Sequence, residues 1–273
     1  METGSISLAA DLLFITQPAV TKRIHSLEEY FGVKLFESSG RGVKATHAAH
    51  SLLPKVKNWL NELGDIHHTL SHEQTQVQGK LKIGTSHHIG LHHLPSHLRH
   101  YVQTFPNVTL DVHFVDSEQA HEKVLAGDLE LAFLTLPPHG EDRLNYVTLW
   151  DDPLVFVAAP FHPLANQHNL QLEDLIQYPS LLPAAQTYTS QITLAEFEKR
   201  GLKPKITMSN NPLESIRMLA SIGLGWSVLP KTLLNPDLQQ LDIPFEMHRQ
   251  LGMVWHPART QSKAVLELIK MMT

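Results

Sequence analysis

From Lys80 to the end, short apolar runs alternate with amphipathic stretches, and that succession limits the fold more than any other feature. Leu81-Lys82-Ile83-Gly84 reads as a strand. Leu94, Leu98, Tyr101, Val102 and Phe105 mark one face of a helix, and residues 109–115 alternate as a strand. A helix over 119–126 ends at Gly127, and 129–134 reads as a buried strand. A second set follows, with strands over 154–158, 180–182, 205–208, 225–229 and 251–255 and helices over 172–176, 192–200, 212–221 and 262–272. A βαβαβ order predicts an α/β part with a mostly parallel sheet covered by helices. Ligands of such sheets bind beyond the carboxyl ends of the strands.

Composition removes several classes of function. The chain has 273 residues, room for about two domains. There is no cysteine, which rules out disulfides, thiol nucleophiles and thiolate-bound zinc. A net charge of −5 excludes a uniformly basic coat, not a local basic patch. No apolar run approaches the ~20 residues of a membrane helix, and no signal-peptide pattern opens the chain. The expected location is the cytoplasm.

The first eighty residues have a different texture. Ser5 is a plausible N-cap, and Ile6, Ala9, Ala10 and Leu13 then form one apolar stripe. Phe14-Ile15-Thr16 makes a turn. Thr16 caps a second helix with Pro18 in its first turn, Val20, Ile24, Leu27 and Phe31 on its buried side and Gly32 at its end. Two helices around a tight turn, the second polar at its start, have the layout of a helix-turn-helix. The second helix of that motif enters the major groove. Gln17 and Thr21 offer donors and acceptors to base edges, while Lys22 and Arg23 neutralise phosphate. Between Leu12 and Lys57, seven cations face three carboxylates in a chain of net negative charge. Residues 33–36 and 42–45 flank Ser38-Ser39-Gly40-Arg41 as a hairpin, with Gly40 and Gly42 permitting positive φ. Such a basic wing puts Arg41 and Lys44 beside the DNA.

These residues resemble the LysR-type transcriptional regulators. The resemblance is carried by Gly4-Ser5-Ile6-Ser7-Leu8-Ala9-Ala10, Gln17-Pro18-Ala19-Val20-Thr21-Lys22-Arg23-Ile24, Leu27-Glu28, Gly32, Leu35-Phe36-Glu37 and Gly40-Arg41-Gly42-Val43. It implies DNA contacts from Thr16, Gln17, Pro18, Thr21, Lys22, Arg23, Arg41 and Lys44. There are two departures. Ser38 stands where the family usually has Arg, which removes one phosphate contact. Family members also begin with a further helix ahead of the position of Met1. Met1 is therefore expected to be an internal methionine of a longer chain, or the chain to be shortened. Without that helix the stripes of the first two helices lack a partner surface, at ~1.5–3 kcal/mol for each large side chain exposed.

Thr46 can cap a long helix to about His72. Ala49, Val56, Leu63 and Leu70 repeat at seven, as do Leu52, Trp59 and Ile66, the signature of a dimerisation seam, interrupted early by Pro54, although the same seam could pack on its own domain. The polar run from Ser71 to Gly79 reads as a hinge. The resemblance implies an antiparallel pairing of linker helices in a homodimer or homotetramer. It continues through Gly84-Thr85-Ser86, Phe105-Pro106-Asn107-Val108, Gly127-Asp128-Leu129-Glu130-Leu131-Ala132, His162-Pro163-Leu164-Ala165 and Gly223-Leu224-Gly225-Trp226-Ser227-Val228-Leu229-Pro230. These look like the family's effector domain, which implies two α/β subdomains like a type 2 periplasmic binding protein. The expected division is a winged helix-turn-helix at 1–46, a linker at 47–79 and an effector domain at 80–273. Subdomain I takes 80–149 and 247–273, and subdomain II takes 150–246.

Strand ends and helix starts then nominate the effector site. Thr85, Ser86 and His87 close the first strand, and Thr135 closes the third. Thr187, Tyr188 and Thr189 follow a strand of the second set, and Asn211 precedes a helix. Hydroxyls, amides and helix N-termini suit a small anionic or polar metabolite, although capping alone accounts for any one of them. His87 or His88 could serve recognition. His93, His97 and His100 fall at i, i+4 and i+7, but no His-Glu-x-x-His motif occurs. They are expected at the exposed helix edge, with no metal and no other cofactor. Asp151-Asp152 beside Pro153 reads as a solvated loop. No catalytic motif is present, so an enzyme is unsupported. The competing expectation is a stand-alone solute-binding protein with a vestigial helical head.

Overall fold

The computed structural model describes every residue except 2, 41, 54, 57, 58, 61, 62, 64–75, 139 and 141. The chain divides into two compact units, residues 1–64 and 65–273.

In the first unit, helix α1 (Ile6–Leu12) starts at Ser5, whose hydroxyl accepts from the Leu8 amide. Helix α2 (Gln17–Phe31) has Pro18 in its first turn and stops at Gly32, which is left-handed at φ 66°. Thr16 occupies the N-cap as the spacing predicts, but its hydroxyl makes no capping bond. Strands β1 (Phe36–Ser39) and β2 (Gly42–Ala45) pair antiparallel as the wing. Gly40 turns the hairpin at φ 54°. Gly42 is required for a different reason from the predicted one: a Cβ there would lie 2.6 Å from the Gly4 carbonyl oxygen.

Glu28 ties the end of α2 to the wing. Its carboxylate accepts from the amides of Leu35 (2.8 Å) and Phe36 (3.1 Å) and from Lys34 Nζ (2.8 Å). Lys34 and the Leu35 amide hold this carboxyl down at about 2. The predicted buried stripe of α2 is only partly realised. Val20 is buried and Ile24 half-buried, whereas Leu27 and Phe31 are exposed, as is Leu13. Few elements surround these two short helices, and Phe14 at the turn is 96% exposed. The helix beginning at 47 is capped by Thr46, as expected. It buries Ala49 and exposes Val56, Trp59 and Leu63 of the seam. Pro54, Ile66 and Leu70 of that seam, and 71–75 of the hinge, lie outside the described residues.

The second unit is built on one sheet ordered β4-β3-β5-β11-β6-β9-β7-β8, with β10 attached to β6. The strands are β3 (Gly79–Thr85), β4 (Val108–Phe114), β5 (Leu131–Thr135), β6 (Asn145–Ala158), β7 (Pro179–Leu182), β8 (Lys205–Ser209), β9 (Trp226–Pro230), β10 (Gln239–Gln240) and β11 (Met247–Trp255). The sheet is mixed rather than mostly parallel. Parallel pairs β3–β4, β3–β5, β7–β8 and β7–β9 lie on either side of two long strands. Those strands, β6 and β11, pair antiparallel from Asn145↔Trp255 to Leu154↔Met247. Their register shifts at Leu251/Gly252, and a Cβ on Gly252 would lie 2.2 Å from the Val147 carbonyl oxygen.

The predicted strands over 154–158 and 251–255 are therefore only the ends of these two. Asp151 and Asp152 are strand residues of β6, not a solvated loop, and Asp152 is buried. Pro153 lies opposite His248 on β11, one residue before β6 begins to pair with β9 as well.

Helices α3 (His87–His92), α4 (Pro95–Thr104), α5 (Ser117–Ala126), α6 (Leu172–Leu175), α7 (Tyr188–Glu198), α8 (Leu213–Ser221) and α9 (Lys263–Met272) cover the sheet. One core gathers Leu81, Tyr101, Phe133, Met253 and Leu268, and a second gathers Phe156, Leu164, Phe197 and Trp226. Among the described residues, no helix is long and apolar enough to cross a membrane.

Candidate functional site

On the first unit, α2 offers a polar face. At 3.6 residues per turn, Gln17, Pro18, Thr21 and Lys22 fall within one arc of ~140°, and all four are exposed. Thr21 Oγ1 donates to the Gln17 carbonyl at 3.1 Å. Thr16 is exposed at the start of this face. Arg23 lies outside the arc, beside Ala19, Ser26 and Tyr30. Lys44 is exposed on β2 opposite Glu37. Arg41 lies outside the described residues. Lys34, one of the seven cations of this region, is committed to Glu28.

In the second unit, four helices aim their first turns at one cleft. Their N-cap residues, Ser86 of α3, Asp116 of α5, Thr187 of α7 and Pro212 of α8, all line it. The orphan amides of helix starts make such a cleft electropositive. Two carboxylates answer that potential and bridge the walls. Glu118 Oε1 accepts from the Tyr188 amide at 2.5 Å, and Asp116 Oδ2 accepts from Asn211 Nδ2 at 2.5 Å. Burial pushes the Glu118 carboxyl up. Arg249 forms the floor. Its Nε and Nη2 each reach Asp152 Oδ2 at 2.7 Å, and Nη1 donates to Thr189 Oγ1 at 2.8 Å. Burial opposes ionisation of Asp152, but the His88 ring and the Arg249 guanidinium outweigh it and hold the carboxyl below its usual range.

The space between the walls is about 50 Å³ for a water-sized sphere. Metabolite pockets run to ~300–1,000 Å³, so the cleft as it stands is small for a metabolite.

Of the eight residues nominated from sequence, six line the cleft: Ser86, His87, Thr135, Thr187, Thr189 and Asn211. Several already have structural duties. Ser86 and Thr187 cap their own helices, Thr189 holds Arg249, and Asn211 also accepts from the Ala184 amide. Thr85 is fully buried and donates to the Ser86 carbonyl. Tyr188 contributes its amide rather than its phenol, which burial pushes up to about 12.

Sequence reasoning missed Asp116, Ser117, Glu118 and Arg249. The first three follow β4 just as Ser86 follows β3, so the same rule would have found them. Arg249 carries no local signal, because its partner Asp152 is 97 positions away. Polar anchors converge here without a paired nucleophile and base among the described residues, which is chemistry for binding rather than for turnover.

Residues 74–273 match the family described as LysR substrate binding domain, and residues 1–50 match the bacterial regulatory helix-turn-helix protein, lysR family. The chain is a LysR-type transcriptional regulator. Among curated relatives, the transcriptional activator CmpR of Synechocystis is 29% identical over 254 residues, covering 90% of this chain and 83% of CmpR. In structure the regulator resembles full-length CbnR complexed with its target DNA, with a TM-score of 0.71 at 19% identity over 99% of this chain and 94% of CbnR. It also resembles the effector binding domain of QuiR in complex with shikimate, with a TM-score of 0.65 at 18% identity over 71% of this chain and 95% of that domain. Regulators of this family bind DNA and small-molecule effectors, form oligomers and are not enzymes. A stand-alone solute-binding protein is not favoured, because the helix-turn-helix match spans residues 1–50.

Proposed function

We propose that this regulator acts in the cytoplasm and couples a small anionic or polar metabolite in the cleft to promoter binding by α2. Gln17, Thr21, Thr16 and Pro18 read base edges, and Lys22, Arg23, Arg41 and Lys44 hold phosphates. Residues 47–79 pair with a second copy. The effector domain works as two halves, 80–149 with 247–273 and 150–246.

The observation that carries the ligand class is the bond from Glu118 to the first amide of α7. A carboxylate of the protein occupies a helix start that favours an anion. A metabolite carboxylate would take its place and release Glu118, and with it one bridge between the halves. A ligand shifts such an equilibrium only by its difference in affinity for the two states.

The test is a panel of small carboxylates against matched alcohols and amines, read by thermal shift and then by anisotropy on promoter DNA. Stabilisation by carboxylates or alcohols, together with changed DNA affinity, is expected. Stabilisation by the amines alone would overturn the ligand class.

A further inference from the structure

At the floor of the cleft, where His88 is among the lining residues, lies a cluster of polar side chains to which the metabolite reading gives no role. His88 of α3 is 3% exposed, and Asp152 of β6 is 1% exposed. His88 Nε2 lies 3.5 Å from Asp152 Oδ2, too far and too poorly aligned for a hydrogen bond, so neither His88 ring nitrogen has a hydrogen-bond partner, and the same holds for His93 Nε2 and Asp152 Oδ1. Buried polar atoms are nearly always satisfied, so four unsatisfied atoms on three neighbouring residues call for a ligand. One ring nitrogen from each histidine and one oxygen of Asp152 lie within 4.8 Å of one another. We propose that His88, His93 and Asp152 bind a first-row divalent cation of the zinc, cobalt or nickel kind.

The donor set selects that class. Two imidazoles and a carboxylate suit borderline cations, whereas magnesium and calcium prefer shells of oxygen. The geometry is held from outside the cluster. His88 sits in the first turn of α3, and His93 is that helix's C-cap residue. The His93 ring packs 5.0 Å from the Trp150 ring. Arg249 occupies Asp152 Oδ2 and leaves Oδ1, the supporting role that outer partners play around metal ligands. His92, which is exposed, and Glu214, which is part-buried, lie 3.8 Å apart next to His88. The sequence ladder His93/His97/His100 does not assemble, because His97 packs on Trp150 and His100 is exposed. Nor does His93 lie at an exposed edge, since it is half-buried.

The experiment titrates cobalt and zinc ions into chelator-stripped, tag-free full chain, followed by calorimetry and by the visible spectrum of the cobalt form. One cobalt per chain with a single ligand-field spectrum is expected. His93→Gln should weaken binding at least about tenfold while keeping the circular dichroism melt of the parent. Asp152→Asn should do the same if it folds, and His93→Gln decides alone if it does not. The His97→Gln/His100→Gln double variant should bind as the parent does.

Binding that survives His93→Gln, or that is lost in the double variant, would mean adventitious capture by surface histidines and would overturn the site. Loss in Glu214→Gln with retention in His93→Gln would overturn this ligand set. Because the readout is metal binding, these outcomes are independent of the metabolite response.

Discussion

At the residue scale, Glu28 is the clearest case of one side chain deciding local structure. It satisfies two amides at the entrance to the wing, and no other side chain bonds them among the described residues. Glu28→Ala should therefore lower the stability of the first unit by roughly 1–3 kcal/mol, read as faster hydrogen exchange at Leu35 and Phe36. The carboxyl is depressed to about 2 from an ordinary 4.5. Its contribution is thus complete above pH 4.5 and is lost as pH falls toward 2. A wing whose amide protection stays flat across that window would contradict the assignment.

The same bond separates two lysines on DNA. Lys22→Ala should weaken binding to all sequences and reduce the log–log salt slope by ~1. Lys34→Ala should leave the slope nearly unchanged, because Glu28 already neutralises Lys34. Gln17→Ala should alter sequence preference; equal losses on promoter and random duplex would remove Gln17 from base reading.

At the element scale, Arg249 and Asp152 join β11 to β6 by a buried, register-matched ion pair. Arg249→Met leaves a buried carboxylate uncompensated and should cost about 3–5 kcal/mol in denaturant unfolding. Arg249→Met with Asp152→Leu should recover much of that, and no recovery would show that the pair does not act as a unit.

This pair also marks the limit of what was legible in the sequence. Some helix starts were readable, because Ser5, Thr46 and Ser86 advertise themselves by local chemistry, whereas α7 begins at Tyr188, ahead of the start expected at 192. Strands buried on both faces, such as β5, were readable as apolar runs. The long halves of β6 and β11 were not. Their pairing joins residues about a hundred positions apart, and Asp151-Asp152-Pro153 carries the composition of a loop. The mixed character of the sheet was hidden for the same reason. On the cleft, short-range capping pointed to Ser86 and Asn211, whereas Arg249 needed the register of two distant strands.

At the scale of the effector unit, the proposed opening of its halves should depend on the two carboxylate bridges. Glu118→Ala removes one bridge and the protein's own occupant of the α7 start. It should expand the ligand-free effector domain in small-angle scattering and tighten carboxylate binding by several-fold. Weaker binding with unchanged dimensions would instead make Glu118 a direct ligand contact.

The paired crossing strands have one more consequence. Trp150 lies opposite Leu251, and Leu154 opposite Met247. The stretch between them, which carries β7 to β10 of the same sheet, begins and ends at neighbouring points. In topological terms it is a cassette, and its two ends are close enough to be closed by a tight turn. A chain shortened in this way should retain the core built on Leu81, Phe133 and Met253, and a different cassette spliced between the same two strands would inherit the same pair of entry points.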